Sequence, residues 1–78
     1  RLCTMEMELD DKPGELVEVC SVISSLGANI TGVHHDRSAN RKKVNACVLR
    51  LTMETRDEEH VKTIKSELEK HGYYLYLV

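Results

Sequence analysis

Along 78 residues the spacing of apolar side chains switches repeatedly between two periods, and the order of those switches leaves few folds open. From Leu2 to Leu9, Cys3, Met5, Met7 and Leu9 alternate with Thr4, Glu6 and Glu8, the period-two pattern of a strand with one buried and one wet face. Asp10, Asp11, Lys12, Pro13 and Gly14 break that pattern, after which Leu16, Val19, Cys20, Ile23 and Leu26 recur at helical spacing. Pro13 fits the first turn of this helix, where a missing N–H costs nothing. Asp11 can accept from the free amides there, and Gly27 suits a left-handed exit.

A second strand is expected from Asn29 or Ile30 to about Arg37, then a polar loop from Ser38 to Lys43, then a third strand from Val44 to about Met53. In the third, Val44, Ala46 and Val48 share one parity while Leu49, Leu51 and Met53 take the other, which fits either a bulge or burial on both faces. Thr55-Arg56-Asp57-Glu58 matches a capping box, and Val61, Ile64 and Leu68 continue a second helix that His71 and Gly72 close. Glu58 with Lys62, and Lys65 with Glu69, read as pairs on its solvated face. Tyr73 to Val78 form a last strand. The order βαββαβ is the ferredoxin-like arrangement of the α+β class, with both helices on one face of a four-stranded antiparallel sheet. Its first and third strands are central, and its second and fourth lie at the edges.

Residues 1–78 read as one domain. Below roughly 80 residues a lone core seldom supplies more than about 3–5 kcal/mol, so disulfides, a metal or self-association usually help. Cys3, Cys20 and Cys47 are odd in number, far apart and set in apolar stretches, so they read as reduced thiols and favour a cytoplasmic setting. No signal-peptide pattern or membrane-length apolar run is present, and the start at Arg1 suggests a piece excised from a longer protein. The second strand lacks Pro and Lys, so as an edge it invites a twofold partner, predicting a homodimer through residues 29–37. With a net charge of −2 and the basic residues Arg41, Lys42 and Lys43 gathered in one loop, nothing funnels a nucleic acid.

Fold does not give function, so the sites must. The most distinctive stretch is Asp11-Lys12-Pro13-Gly14-Glu15-Leu16, paired with Gly27-Ala28-Asn29-Ile30. Gly14 allows close approach, the free amides of a first helical turn suit a carboxylate, and Asp11 with Asn29 could hold an ammonium group. On chemistry alone, Asp11 as a plain cap and Gly14 as a plain turn residue remain open. With the βαββαβ order, Asp11 to Leu16 and Leu26-Gly27-Ala28-Asn29-Ile30 resemble the ACT domain, a regulatory module that binds amino acids. His34-His35-Asp36-Arg37 and Leu51-Thr52-Met53-Glu54-Thr55 resemble, more narrowly, the C-terminal domain of the shorter threonine dehydratases, pyridoxal-phosphate lyases that deaminate threonine and serine.

The resemblance implies sheets joined side by side in a homodimer, with a small amino acid between the first-helix loop of one domain and the edge strand of the other. Carried onto this chain, the ligand-binding residues are Asp11, Pro13, Gly14, Glu15, Leu16, Asn29 and Ile30, with Leu16 and Ile30 as apolar wall for isoleucine or valine. Pyridoxal phosphate is expected in the parent catalytic domain and no cofactor in this one.

Rival functions lack their residues. No nucleophile, base and orienter fall together, and the first loop lacks the arginine of a phosphate-hydrolysing enzyme and the Cys-x-x-Cys of a metal carrier. RNA binding needs aromatics on central strands, and here Tyr73, Tyr74 and Tyr76 lie on an edge. His34 and His35, adjacent on a strand, point to opposite faces and so do not chelate one metal. The remaining alternative is a purely structural dimerisation domain without an effector.

Overall fold

The computed structural model describes residues 1–10, 12–36 and 46–78. The expected cap at Asp11, the end of the second strand at Arg37, the loop 38–43 with its basic cluster and the strand start at Val44 lie outside the described residues. The elements are β1 (Leu2–Asp10), α1 (Glu15–Ser25), β2 (Asn29–Asp36), β3 (Ala46–Glu54), α2 (Glu58–Lys70) and β4 (Leu75–Leu77). They form one antiparallel sheet in the order β2-β3-β1-β4, the ferredoxin-like topology expected.

The period-two pattern of β1 becomes a buried row of Met5, Met7 and Leu9, which meets Cys47, Leu49, Leu51 and Met53 of β3 under the helices. Val19 and Ile23 of α1 and Val61, Ile64 and Leu68 of α2 close that core. β3 pairs with β1 in unbroken register from Ala46 to Glu54, so its mixed parity is not a bulge of its own. Its first residues, Ala46 and Cys47, are both buried, while the register shift falls in β2 between Ile30 and Gly32. On the open face Arg50 donates to Glu6 through both Nε and Nη2, at 3.1 and 2.7 Å, and Thr4 meets Thr52 at 3.2 Å. This is the polar side that alternation requires.

Both helices end in the same way. Beyond α1, Gly27 N–H donates to Ser24 O and Ala28 N–H to Ile23 O; beyond α2, Gly72 donates to Glu69 O and Tyr73 to Leu68 O. These are Schellman closures, and Gly27 and Gly72 stand at φ +87° and +90° because a Cβ is strained there.

The helix starts differ from the sequence reading. Pro13 lies ahead of α1, not in its first turn, because Gly14 takes the N-cap position at φ +94°. The cap of α2 is Asp57, not Thr55: Asp57 Oδ1 accepts from His60 N–H at 2.8 Å, while His60 Nδ1 accepts from Arg56 N–H at 3.0 Å. His60 thus stands where a capping box has Glu but reaches one residue further back, to the amide before the cap, and Thr55 instead extends the sheet ladder by donating its N–H to Arg1 O at 2.8 Å. Lys65 and Glu69 pair as expected, at 3.7 Å. The last strand is shorter than expected, since Tyr73 turns into the core before β4 begins.

Candidate functional site

The corner between β1 and α1 holds a pocket of about 250 Å³ lined by Leu9, Asp10, Lys12, Pro13, Glu15, Leu16, His35 and Cys47. Its apolar part follows from β1 and α1: Leu9 ends the buried row of β1, and Leu16 is the first residue of the helix stripe. Pro13 and the left-handed Gly14 turn the chain sharply so that the first turn of α1 begins beside that floor. A Cβ added at Gly14 would meet nothing within 4 Å, so backbone conformation, not crowding, is what this position requires. As an N-cap, glycine brings no side chain to the first-turn amides, which carry the partial positive charge of the helix end.

Glu15 and Glu18 stand one turn apart at this helix start, and both are tied to the far end of α2. The Tyr73 hydroxyl lies 2.9 Å from Glu15 Oε2 and 2.6 Å from Glu18 Oε1, and His71 Nδ1 lies 3.2 Å from Glu18 Oε2. The hydrogen bond from Tyr73, then that from His71, holds the Glu18 carboxyl below the usual carboxylate range. Burial and the two carboxylates together push the Tyr73 phenol far above its ordinary value.

Of the seven sequence-predicted residues, Pro13, Glu15 and Leu16 line this pocket, Gly14 sets its backbone, and Asp11 lies outside the described residues. Asn29 and Ile30 are not brought to it within one chain. Asn29 pairs with Glu54 and so lies level with Leu2, at the opposite end of the sheet, roughly 25 Å along the strands from Asp10. There Asn29 Nδ2 donates to Glu54 Oε1 at 2.9 Å. Ile30 is half-buried against the core on the helix side.

Two lining residues, His35 and Cys47, were missed as partners of the loop. Parity alone puts His34 and His35 on opposite faces, as expected, but only the register shows which way. His35 stands opposite Leu49 and therefore on the helix side, where its Nε2 reaches Cys47 Sγ at 2.9 Å. His34 stands opposite Arg50 on the open face. Among the described residues no group of three His, Cys, Asp or Glu side chains could hold a metal ion, and no helix is long and apolar enough to cross a membrane.

The family described as ACT domain matches residues 2–71. This chain belongs to the ACT domain family. The ACT domain is 38% identical over 68 residues to an L-threonine ammonia-lyase of Thermotoga maritima, covering 87% of this chain and 17% of that protein. It is 33% identical over 73 residues to the L-threonine ammonia-lyase of Geobacter sulfurreducens, covering 94% and 18%. It therefore spans less than a fifth of these relatives. Its fold is shared with the ACT domain of the GTP pyrophosphokinase of Chlorobium tepidum (TM-score 0.74, 20% identity, 99% of this chain and 96% of that one). It is shared also with prephenate dehydratase of Streptococcus mutans (TM-score 0.79, 18% identity, 97% and 40%). The narrower likeness to threonine dehydratases thus holds across most of the chain.

Proposed function

We propose that this ACT domain is the amino-acid-sensing regulatory end of a threonine ammonia-lyase and carries no catalytic centre itself. The observation that carries the reading is the pocket at the β1–α1 corner, where an apolar floor of Leu9 and Leu16 adjoins helix-start amides on a left-handed glycine. That combination suits a small aliphatic amino acid: side chain on the floor, carboxylate against the amides of the first turn. Asp11 and Asn29 are the groups we assign to the ammonium. Because Asn29 lies at the far end of β2 in the same chain, it reaches this ligand only from a second copy. Two β2 edges paired antiparallel about a twofold would bring Asn29 and Ile30 of the partner subunit toward the pocket. Isoleucine or valine is the effector we favour, and the three free thiols suit a reducing, cytoplasmic setting. Pyridoxal phosphate belongs to the catalytic part of such a parent. Lys12, Lys62, Lys65 and Lys70, the lysines among the described residues, are surface side chains, and we assign none to it. Regulation is then a coupling free energy between this pocket and the catalytic part, bounded by the effector's preference for one enzyme state.

One feature favours a second reading, a dimerisation domain without effector. Val33, 52% exposed, points to the helix side of the open edge, and Leu16, Val17 and Cys20 continue an apolar strip along the outer side of α1. Titration of the 78-residue chain with isoleucine, valine, threonine and serine, by calorimetry and by melting midpoint, separates the two. We expect an aliphatic amino acid to raise the midpoint, with about 2.7 kcal/mol of stabilisation at a hundredfold excess over Kd, and Asn29→Ala to abolish the rise. No shift with any of the four at millimolar concentration leaves the dimerisation reading.

A further inference from the structure

The inner wall of the pocket carries a thiol and a base in contact. His35 Nε2 and Cys47 Sγ are 2.9 Å apart, and the residues come from neighbouring strands whose register sets them diagonally on the helix side of the sheet. Cys47 is 1% exposed, so the pocket it lines is the way a small molecule reaches it. The other two thiols differ. Cys3 and Cys20 are half-buried, and burial pushes both thiols up, which keeps them protonated and slow. Cys47 shares the burial but has an imidazole nitrogen within proton-transfer distance, the arrangement that activates a sulfur nucleophile.

We propose that Cys47 is a His35-assisted thiol site that reacts with small disulfides entering this pocket, and that its adduct and an amino-acid effector exclude one another. In the step, the Cys47 proton passes to His35 Nε2, and the thiolate attacks one sulfur of a low-molecular-weight disulfide. The new Cys47 S–S bond forms as the reagent's S–S bond breaks. The departing thiolate takes up the proton from the imidazolium, so Cys47 is oxidised and the reagent's other half leaves reduced as a thiol. Among the described residues, Asp10 from β1, Lys12 from the corner and Glu15 from α1 are the other charged groups lining the space, and Lys12 favours the anionic sulfur while the two acids oppose it. The volume of about 250 Å³ equals only about eight liquid-water volumes, room for one small molecule at a time. The exclusion part rests on the effector reading given above; the reactivity part does not.

The test uses the 78-residue chain with Cys3→Ser and Cys20→Ser, treated at pH 7 with bis(2-hydroxyethyl) disulfide and followed by mass spectrometry. We expect one adduct, on Cys47, absent in Cys47→Ser, and forming at least tenfold more slowly when His35→Gln is added with an unchanged circular dichroism spectrum. Labelling that occurs only in urea, or at equal rates with and without His35, overturns the thiol site. A second arm repeats the reaction with isoleucine, valine, threonine or serine at millimolar concentration. Slower labelling with the amino acid that raises the melting midpoint supports the exclusion. His35-dependent labelling that is not slowed by an amino acid that raises the midpoint overturns the exclusion alone, whereas no midpoint shift with any of the four overturns the effector reading and leaves the thiol site standing. A midpoint shift with a silent Cys47 overturns the thiol site alone.

Discussion

Tyr73 donates its hydroxyl to Glu18 Oε1 at 2.6 Å, with Glu15 Oε2 as second acceptor at 2.9 Å, so one phenolic proton serves two carboxylates of the same helical turn. The residue just past α2 therefore holds the start of α1, the segment that also borders the pocket.

This contact sets a pH dependence at both ends of the scale. The Tyr73 phenol is raised in the folded state, so its contribution is complete below its ordinary value of 10 and is lost as pH rises beyond it. The Glu18 carboxyl is lowered, so its contribution is present above the ordinary 4.5 and is lost as pH falls through its folded value. Melting midpoints of the wild type and Tyr73→Phe from pH 3 to 11 should show both limbs flattened in the variant, and an NMR titration should show the Glu18 midpoint moved up.

His60→Ala tests the joint between the helices. His60 Nε2 donates to Leu26 O at 2.7 Å while Nδ1 accepts from Arg56 N–H, and the ring is 3% exposed. Removing it leaves two part-buried backbone groups without this partner and a cavity besides, at a cost of about 2–4 kcal/mol. For a domain of this size that is most of the available stability, and urea denaturation should find the variant largely unfolded at 37 °C.

Gly14→Ala isolates backbone conformation from crowding. With φ at +94° and no atom within 4 Å of the added methyl, the expected cost is the left-handed penalty alone, about 1–2 kcal/mol in urea denaturation. Amino-acid binding by calorimetry should weaken more than tenfold, because relaxing φ swings the first-turn amides away from the pocket.

Val33→Asp probes the open edge. Its side chain is half-exposed on the helix side of β2, where the edge strand of a partner joined side by side would lie against it. A charge buried there without a partner should weaken self-association at least tenfold in sedimentation equilibrium, about 1.4 kcal/mol, while the fold of one chain is unchanged. Equal association constants for the two proteins would rule out pairing through this edge.

The elements were legible because each has a clean period: Met5, Met7 and Leu9 in β1, or Val61, Ile64 and Leu68 in α2, define a face without knowledge of any neighbour. The caps were less so, since Asp57 and His60 share a task that a capping box assigns to Ser or Thr with Glu. Tyr73 reads as strand until the two carboxylates of α1 are known to lie above it. The pocket was half legible. Pro13, Glu15 and Leu16 fall within one four-residue stretch and are visible as a motif, whereas His35 and Cys47 meet only through the pairing of β2 with β3, a long-range register that local spacing does not carry.

The matched Schellman closures of α1 and α2 place a buried residue, Ala28 or Tyr73, directly after each glycine, one residue before β2 and two before β4. Neither junction holds slack, so helix length acts as a counter for the outer strands. One residue added inside either helix would rotate its exit by about 100° and turn the following strand's inward side chains outward. Insertions within α1 or α2 should therefore be read out at the rims of the sheet, far from where they are made.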